Sequence, residues 1–355
     1  MTISPLVSVV CAVHNALPYL PEAMQSILSQ TFSDLELIIV DDASTDGTVD
    51  YVKSLDNPRV RLIRREKSNL SEALNAGIAD ARADLIARID GDDIALPHRI
   101  ENQYRFMTEN PEDVLVGCQM DRIDEQGKPH TGEWAMPLGF PIGDAAIRSS
   151  LFFQCVFLHP GVMYRTSAFQ SLGGYNPHYS DGSSAAEDYD LWTRLSREGS
   201  IHNLNDTLMK YRVHSKSISS TRWAVQIAFV AEISRAYAAD LMDSPLVEFM
   251  TELVNFVSFS RTPELEHLPS LIELFSLWKL VSRAKLAPSE DPRELECWIE
   301  KFETSARWKC LALAKKNLGR PWVANRWIHA ARGFDPRKGG VEHLMLSMIR
   351  KRMKH

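Results

Sequence analysis

Leu6-Val7-Ser8-Val9-Val10-Cys11-Ala12-Val13 is apolar on both faces and rich in β-branched residues. A strand with one wet face would alternate. This run reads as a strand buried on both faces, as in a parallel sheet covered by helices. Downstream of it, Leu17, Leu20, Met24, Ile27 and Leu28 share one helical face. Leu35 to Val40 is a second buried strand, closed by Asp41-Asp42-Ala43-Ser44-Thr45-Asp46-Gly47, a polar loop whose Ser and Asp residues can cap a helix starting near Thr48. Val60 to Ile63 gives a third strand, and a helix from Ser71 to Ala81 follows with Ser71 as its N-cap. Leu85 to Ile89 is a fourth strand, followed by Asp90-Gly91-Asp92-Asp93, a helix opening near Pro97, and a strand led by Val114 to Val116. This β-α-β-α order predicts the α/β class, with a doubly wound, mostly parallel sheet and right-handed crossovers. Ligands of such sheets bind beyond the carboxyl ends of the strands. Three polar clusters fall there: His14-Asn15, Asp41-Asp42 and the Asp90 group.

From about residue 120 the pattern loosens. Asp124 to Gly143 is rich in Gly, Pro and polar residues and is expected to shape an acceptor cleft. A helix from Ala186 to Glu198 turns Leu191, Trp192 and Leu195 inward, and Ile201 to Tyr211 reads as a closing strand. Beyond Arg222 the strand signal ends, which divides the chain into residues 1–221 and a helical region, 222–355, with six of the eight tryptophans between 222 and 332. Ala314, Asn317, Gly319, Ala324, Trp327, Ala330 and Asp335-Pro336 resemble one helix-turn-helix unit of the tetratricopeptide kind. A single unit cannot bury its own face, and such arrays need about three. The tail, Val341 to His355, is basic and Met/Leu-rich. It suits an anionic membrane surface, and it suits a frayed terminus as well.

Composition narrows the classes. At 45% hydrophobic and 24% charged, the 355-residue chain is not a disordered one. No apolar run reaches the ~18–20 residues needed to cross a bilayer. Met1 to Val10 lacks a basic segment, so no cleaved secretory signal is expected. The net charge of −6 gives no support to nucleic-acid binding. Cys11, Cys118, Cys155, Cys297 and Cys310 are scattered without a CxxC pair, which fits reduced thiols in a cytoplasmic protein. A P-loop and a GxSxG elbow are both missing, which excludes P-loop NTPases and serine hydrolases.

The sharpest local signal is Asp90-Gly91-Asp92-Asp93. Carboxylates so close repel one another unless a cation resolves them. Hard oxygen ligands suit Mg²⁺ or Mn²⁺, which complete their shell with water and substrate phosphates. An EF-hand does not fit: counted from Asp90, the fifth and sixth positions are Ile94 and Ala95, where a ligand and a glycine are required.

With these motifs in order, the chain resembles the family 2 glycosyltransferases of the GT-A fold. The resemblance rests on Pro5 to Asn15, Ser29-Gln30-Thr31-Phe32, Glu36 to Thr48, Asp90-Gly91-Asp92-Asp93 with Pro97 and Arg99, Ala186-Glu187-Asp188-Tyr189-Asp190-Leu191-Trp192, His159-Pro160, Gly173-Gly174-Tyr175 and Tyr211-Arg212-Val213-His214. It covers about residues 5–215, roughly 60% of the chain. The resemblance implies an inverting transfer from a nucleotide-sugar donor, first among them a UDP-sugar, to a hydroxyl of a glycan or lipid-linked acceptor. It implies that Ala12, His14 and Asp42 hold the nucleoside, that Asp90 faces the donor, that Asp92 binds the Mn²⁺ or Mg²⁺ ion, and that Asp188 is the general base. Glu187 is the next catalytic candidate, His214 could reach the diphosphate or the metal, and Arg212 is a phosphate contact or a salt-bridge partner. His159 is expected near the acceptor, Asp93 to meet the metal through water or cap the next helix, and Arg99 to pair with the acidic cluster. A peripheral contact with the inner membrane face would suit a lipid-linked acceptor. One competing class is a sugar-nucleotide pyrophosphorylase, which needs a Gly-rich loop where Ala12-Val13-His14-Asn15-Ala16 stands. The other is a catalytically inert scaffold recruiting partners through its helical region.

Overall fold

In the computed structural model, residues 4–130, 139–180, 186–214, 223–257, 266–286, 292–316 and 321–334 are described. The runs read as doubly buried strands are so: β1 (Val7–Val13) is buried at every position but Ala12, and β2 (Leu35–Asp42) throughout. α1 (Leu20–Leu28) and α2 (Thr48–Ser54) follow them. β3 (Val60–Arg65), α3 (Leu70–Ala79) and β4 (Leu85–Arg88) complete the alternating half. β1 pairs in parallel with both β2 and β4, and β2 with β3. α3 packs on β1 and β2 so closely that a Cβ on Gly77 would lie 2.7 Å from Val10 Cγ1 and 2.8 Å from Val40 Cγ2. The helix is capped by Asn69, whose side chain accepts from the Glu72 N–H at 2.9 Å. Ser71, the expected cap, points its hydroxyl at the Asn176 carbonyl instead. The two positions lie within the usual uncertainty of a helix end, and the extended backbone of Asn69 decides between them.

The second half is mixed. β5 (Ile94–Ala95), α4 (Arg99–Glu109), β6 (Asp113–Ile123), α5 (Asp144–Ser150), β7 (Met163–Arg165), α6 (Thr166–Ser171), α7 (Glu187–Leu195) and β8 (Ser200–Arg212) follow in chain order. The eight-stranded sheet runs β3-β2-β1-β4-β7-β6-β8-β5. β7 lies antiparallel between β4 and β6, and β5 antiparallel on β8, while β6 and β8 are parallel. Periodicity gave no sign of β5 or β7, because two or three residues are too few to display a period.

Two compact units divide the chain: Met1–Ile147 with Cys155–Gln226, and Arg148–Gln154 with Ile227–His355. The first contains the sheet. The second contains α8 (Trp223–Leu241, entering from Ile227), α9 (Met250–Val257), α10 (Leu268–Val281), α11 (Pro292–Lys316) and α12 (Pro321–Phe334). Its surprise is the seven-residue segment 148–154, far upstream of the boundary expected at 222. Phe153 packs against Phe275, Trp278 and Phe302, and Phe152 against Tyr237. Trp278 Nε1 donates to the Ser149 carbonyl at 3.0 Å. α11 and α12 pack on each other, with Ala314, Ala324, Trp327 and Ala330 buried. Asn317, Gly319, Asp335, Pro336 and the basic tail lie outside the described residues, as do positions 131–138 of the expected acceptor loop. Among the described residues no helix is long and apolar enough to cross a membrane.

Candidate active site

The loops after β1 and β2 are laced together. His14 Nδ1 meets the Asp42 carbonyl at 2.8 Å, the Asn15 N–H donates to Ser44 Oγ at 2.8 Å, and the Thr45 N–H donates to Asn15 Oδ1 at 2.8 Å. Two non-glycine residues adopt left-handed backbone here, Asn15 (φ 53°) and Ala43 (φ 62°). Asn tolerates that region; Ala does so at a cost that the surrounding bonds must overcome. Asp46 accepts from the Thr48 and Leu17 N–H groups, both at 3.1 Å, which fixes the start of α2.

Asp42 is buried, and its carboxylate accepts from Ser68 N and Oγ, each at 2.7 Å, and from Lys67 Nζ at 3.1 Å. Burial alone would raise its pKa; the Ser68 and Lys67 bonds outweigh that and hold the carboxyl below its ordinary value. Ala12 is the part-exposed position of β1, and His14 is exposed beside it.

The acidic loop sits directly beyond β4. Gly91 packs tightly there: a Cβ would lie 3.0 Å from Val13 Cγ1 and 3.2 Å from Ala16 Cβ. One oxygen from each of Asp90, Asp92 and Asp93 falls within 4.8 Å of the others. Asp90 is gripped by Arg88, with Nη1–Oδ2 2.6 Å and Nη2–Oδ1 2.5 Å. Burial raises the Asp90 carboxyl, and the charges of Asp92 and Asp188 raise it further against the pull of Arg88. Burial, then Asp92 and Asp90, push Asp93 well above the carboxylate range. Asp93 Oδ1 accepts the Arg212 N–H at 2.8 Å, while its buried Oδ2 has no hydrogen-bond partner. An orphaned buried oxygen within a crowded acidic triplet fits a divalent cation. Asp93 therefore does not cap the next helix, which starts six residues later with His98 as its cap.

β8 delivers the far side. His214 Nε2 lies 2.8 Å from Asp92 Oδ2. Arg212 is 2% exposed and takes the salt-bridge role of the two open to it: Nη2 donates to Glu22 Oε2 at 2.6 Å. Its Nε donates to the Asp92 carbonyl at 2.8 Å, Nη1 to the Asp124 and Glu125 carbonyls, and its guanidinium lies 4.8 Å from the Tyr19 ring centre. So committed, it fastens α1 and the acidic loop to β8, where a phosphate contact was also open to it.

Asp188 opens α7. Its Oδ1 accepts the Tyr189 N–H at 2.7 Å, and Oδ2 meets Cys155 Sγ at 3.6 Å. Burial lifts its pKa despite the Tyr189 N–H and the Arg88 charge. Glu187, the other expected catalytic carboxylate, is only 3% exposed and faces inward; its Oε1 is 3.6 Å from His159 Nδ1. His159 is likewise buried, with Nε2 on the Tyr175 hydroxyl at 2.9 Å. Arg99 does not pair with the acidic cluster: fully buried, it donates to the Arg88 and Val162 carbonyls and to Gln103. A guanidinium can satisfy carbonyls in this way without a carboxylate.

Arg88, Tyr175 and Cys155 were not foreseen as site residues. Arg88 carried a signal, since a lone cation in an otherwise apolar strand needs a partner. Tyr175 stood in a motif of the resemblance without a role assigned to it; the contacts of Cys155 are tertiary and left no signal.

The sheet that carries this acidic triplet has the GT-A fold. The crystal structure of S. aureus TarS 1–349 in complex with UDP-GlcNAc shares it, covering 98% of this chain and 91% of its own, with a TM-score of 0.57 at 16% identity. The mannosyltransferase PcManGT from Pyrobaculum calidifontis, in complex with GDP-Man and Mn²⁺, covers 95% of this chain and 89% of its own, with a TM-score of 0.54 at 18% identity. In sequence, the O-antigen biosynthesis glycosyltransferase WbnJ of Escherichia coli is 35% identical over 231 residues, 63% of this chain and 86% of that one. Residues 8–173 match the profile of Glycosyl transferase family 2. The chain belongs to the family 2 glycosyltransferases and is a glycosyltransferase enzyme.

Proposed function

We propose that the enzyme is an inverting, divalent-cation-dependent glycosyltransferase of cell-surface polysaccharide synthesis. It takes a nucleotide-sugar donor, a UDP-sugar first among the candidates, and a hydroxyl acceptor on a glycan or lipid-linked oligosaccharide. The observation that carries this reading is the Asp90-Asp92-Asp93 triplet, with one oxygen from each within 4.8 Å of the others, and Asp188 is among the charges that raise the Asp90 carboxyl. The name of the E. coli relative supports the polysaccharide assignment. Work on a lipid-linked acceptor would take place at the cytoplasmic membrane face.

Asp92, Asp90 and His214, together with Asp93, whose Oδ2 has no hydrogen-bond partner, would hold Mn²⁺ or Mg²⁺. Such an ion supplies charge neutralisation for a departing nucleoside diphosphate. Arg212 and Gly91 keep the loop in place, and Ala12, His14 and Asp42 border the nucleoside. Asp188 takes the proton of the acceptor hydroxyl as its oxygen bonds to the anomeric carbon. The bond to the diphosphate oxygen breaks, that oxygen keeps the electron pair, and back-side attack inverts the centre. Burial raises the Asp188 pKa, which makes its ionised carboxylate a stronger base than an exposed one.

The test has two parts. A panel of nucleotide sugars is screened for Mn²⁺-dependent release of nucleoside diphosphate. Asp188→Asn is then expected to keep nucleoside diphosphate binding by calorimetry while transfer falls about 10²–10⁴-fold. Full transfer by that variant would remove the assigned base.

A further inference from the structure

Glu187 precedes the proposed base but is more deeply buried and lacks the hydrogen bonds that Asp188 accepts. It is 3% exposed, and its Oε2 has no hydrogen-bond partner. Its other oxygen stands 3.6 Å from His159 Nδ1, beyond a hydrogen bond. His159 is committed elsewhere, with Nε2 on the Tyr175 hydroxyl at 2.9 Å; that hydroxyl lies 3.5 Å from the Tyr164 hydroxyl. Trp192 closes the edge of the His159 ring, with centroids 5.8 Å apart.

An ionised carboxylate in this place would have one oxygen without a donor in a dry environment, among the costliest arrangements available. The alternative, a protonated His159 facing an ionised Glu187, would draw the two groups into contact, and the guanidinium of Arg88 nearby opposes a second cation. We infer that Glu187 is a positioning residue that works as a neutral carboxylic acid. It packs against the His159 end of the uncharged His159–Tyr175–Tyr164 chain without bonding to it, and leaves the negative charge of the Glu187-Asp188 pair on Asp188. This rests on Asp188 being the base. It also assigns Glu187 a task other than touching substrate.

The electrostatics agree with the geometry. The titratable and charged groups around Glu187 are Asp188 on its own helix, Arg88 and Asp90 at the end of β4, His159, Tyr175 and Cys155. Burial, then the Asp188 charge, push the Glu187 carboxyl up to about 8, against its own helix-end N–H and Arg88. Burial, helped by Arg88, holds His159 well below its usual range, so its ring is neutral. The consequence is directional. Ionising Glu187 would place a second negative charge behind Asp188 and Asp90, on the side that must receive a diphosphate.

The experiment compares wild type with Glu187→Gln, the uncharged isostere, and with Glu187→Ala. In glutamate-labelled wild type at pH 7, isotope-edited infrared spectra are expected to show a protonated carboxyl band that the Gln variant lacks and that disappears as pH rises past about 8. The folded chain keeps this proton where the unfolded chain has lost it, between about pH 4.3 and 8. Over that window the folding constant of wild type should fall about tenfold per pH unit relative to Gln. With the donor that the screen selects, donor KM should rise above that pH in wild type and stay flat in Gln. Transfer at neutral pH should be at least about tenfold higher in Gln than in Ala, since Gln refills the volume. A labelled band that is already a carboxylate at pH 7 overturns the proposal even if both variants fail to fold. So does a KM profile that Gln leaves unchanged. An active Asp188→Asn would instead sink the base assignment while leaving the infrared and stability results intact, so the two failures are separable.

Discussion

Arg88 is the residue whose loss should be felt most in the catalytic unit. It is 2% exposed at the end of β4 and grips Asp90 with two N–H bonds of 2.6 and 2.5 Å. Arg88→Met keeps the apolar stem and removes the charge. Asp90 is then left beside Asp92 and Asp93, with carboxylate oxygens inside 4.8 Å and no cation opposite. Breaking a buried pair by deleting one partner costs about 3–5 kcal/mol. The Asp90 side chain is 30% exposed, so water screens part of the penalty and the lower end, about 3 kcal/mol, is expected. For a unit of this size that corresponds to a fall in Tm of roughly 6–12 °C. Because the chain has two units, unfolding in urea is best followed by hydrogen exchange of the β1 and β4 amides. Asp90→Asn in the Arg88→Met background should restore a large part of the loss, since the stranded charge goes with it. A single-variant loss below about 1 kcal/mol, or no recovery in the double variant, would refute the claim that this ion pair is buried and mutually dependent.

Gly91→Ala forces a methyl to within 3.0 Å of Val13 and should weaken binding of Mn²⁺ alone, read by calorimetry, by about 10-fold or more; unchanged affinity would show that the loop has room. Ser68→Ala removes a bond that holds Asp42 ionised, so the Asp42 pKa should rise. The depressed carboxyl stabilises the fold above its unfolded pKa and loses that contribution as pH falls through the folded value. The variant should therefore lose stability earlier on acidification, with about 1–2 kcal/mol missing at pH 7; superimposable curves from pH 6 to 2 would count against it. Phe153→Ala should cost about 3–5 kcal/mol in the helical unit, seen as faster exchange of the α10 amides with β1 spared; equal loss in both would place Phe153 elsewhere.

The alternating half of the fold was legible because each of its strands is long enough, or dry enough, to leave a pattern. β1 and β2 are buried on both faces and read as unbroken apolar runs. In the mixed half the helices near Pro97 and after Ala186 were legible, but of the strands only β6 and β8. β7 is three residues long and takes its direction from partners distant in sequence. The same holds for the site. Asp90, Asp92 and Asp188 stood out by clustering and position, and His214 does meet Asp92. What the sequence could not carry was how each charge is answered: that Arg88 takes Asp90, that Arg212 is consumed by Glu22 and three carbonyls, and that Arg99 needs no carboxylate. Those are choices among partners brought together by folding. Asp42 was expected to hold the nucleoside; its carboxylate is engaged by Ser68 and Lys67, and the described acidic triplet is Asp90, Asp92 and Asp93.

The excursion at residues 148–154 bears on how such enzymes can be recombined. The polypeptide crosses between the two units three times, after Ile147, after Gln154 and after Gln226. A chimera spliced once, near residue 226, would carry helices whose aromatic socket lacks its native plug, Phe153. A graft that keeps the helical unit whole must transplant the heptapeptide along with it. That ties the divergence of the carboxyl-terminal half to a short loop inside the amino-terminal one.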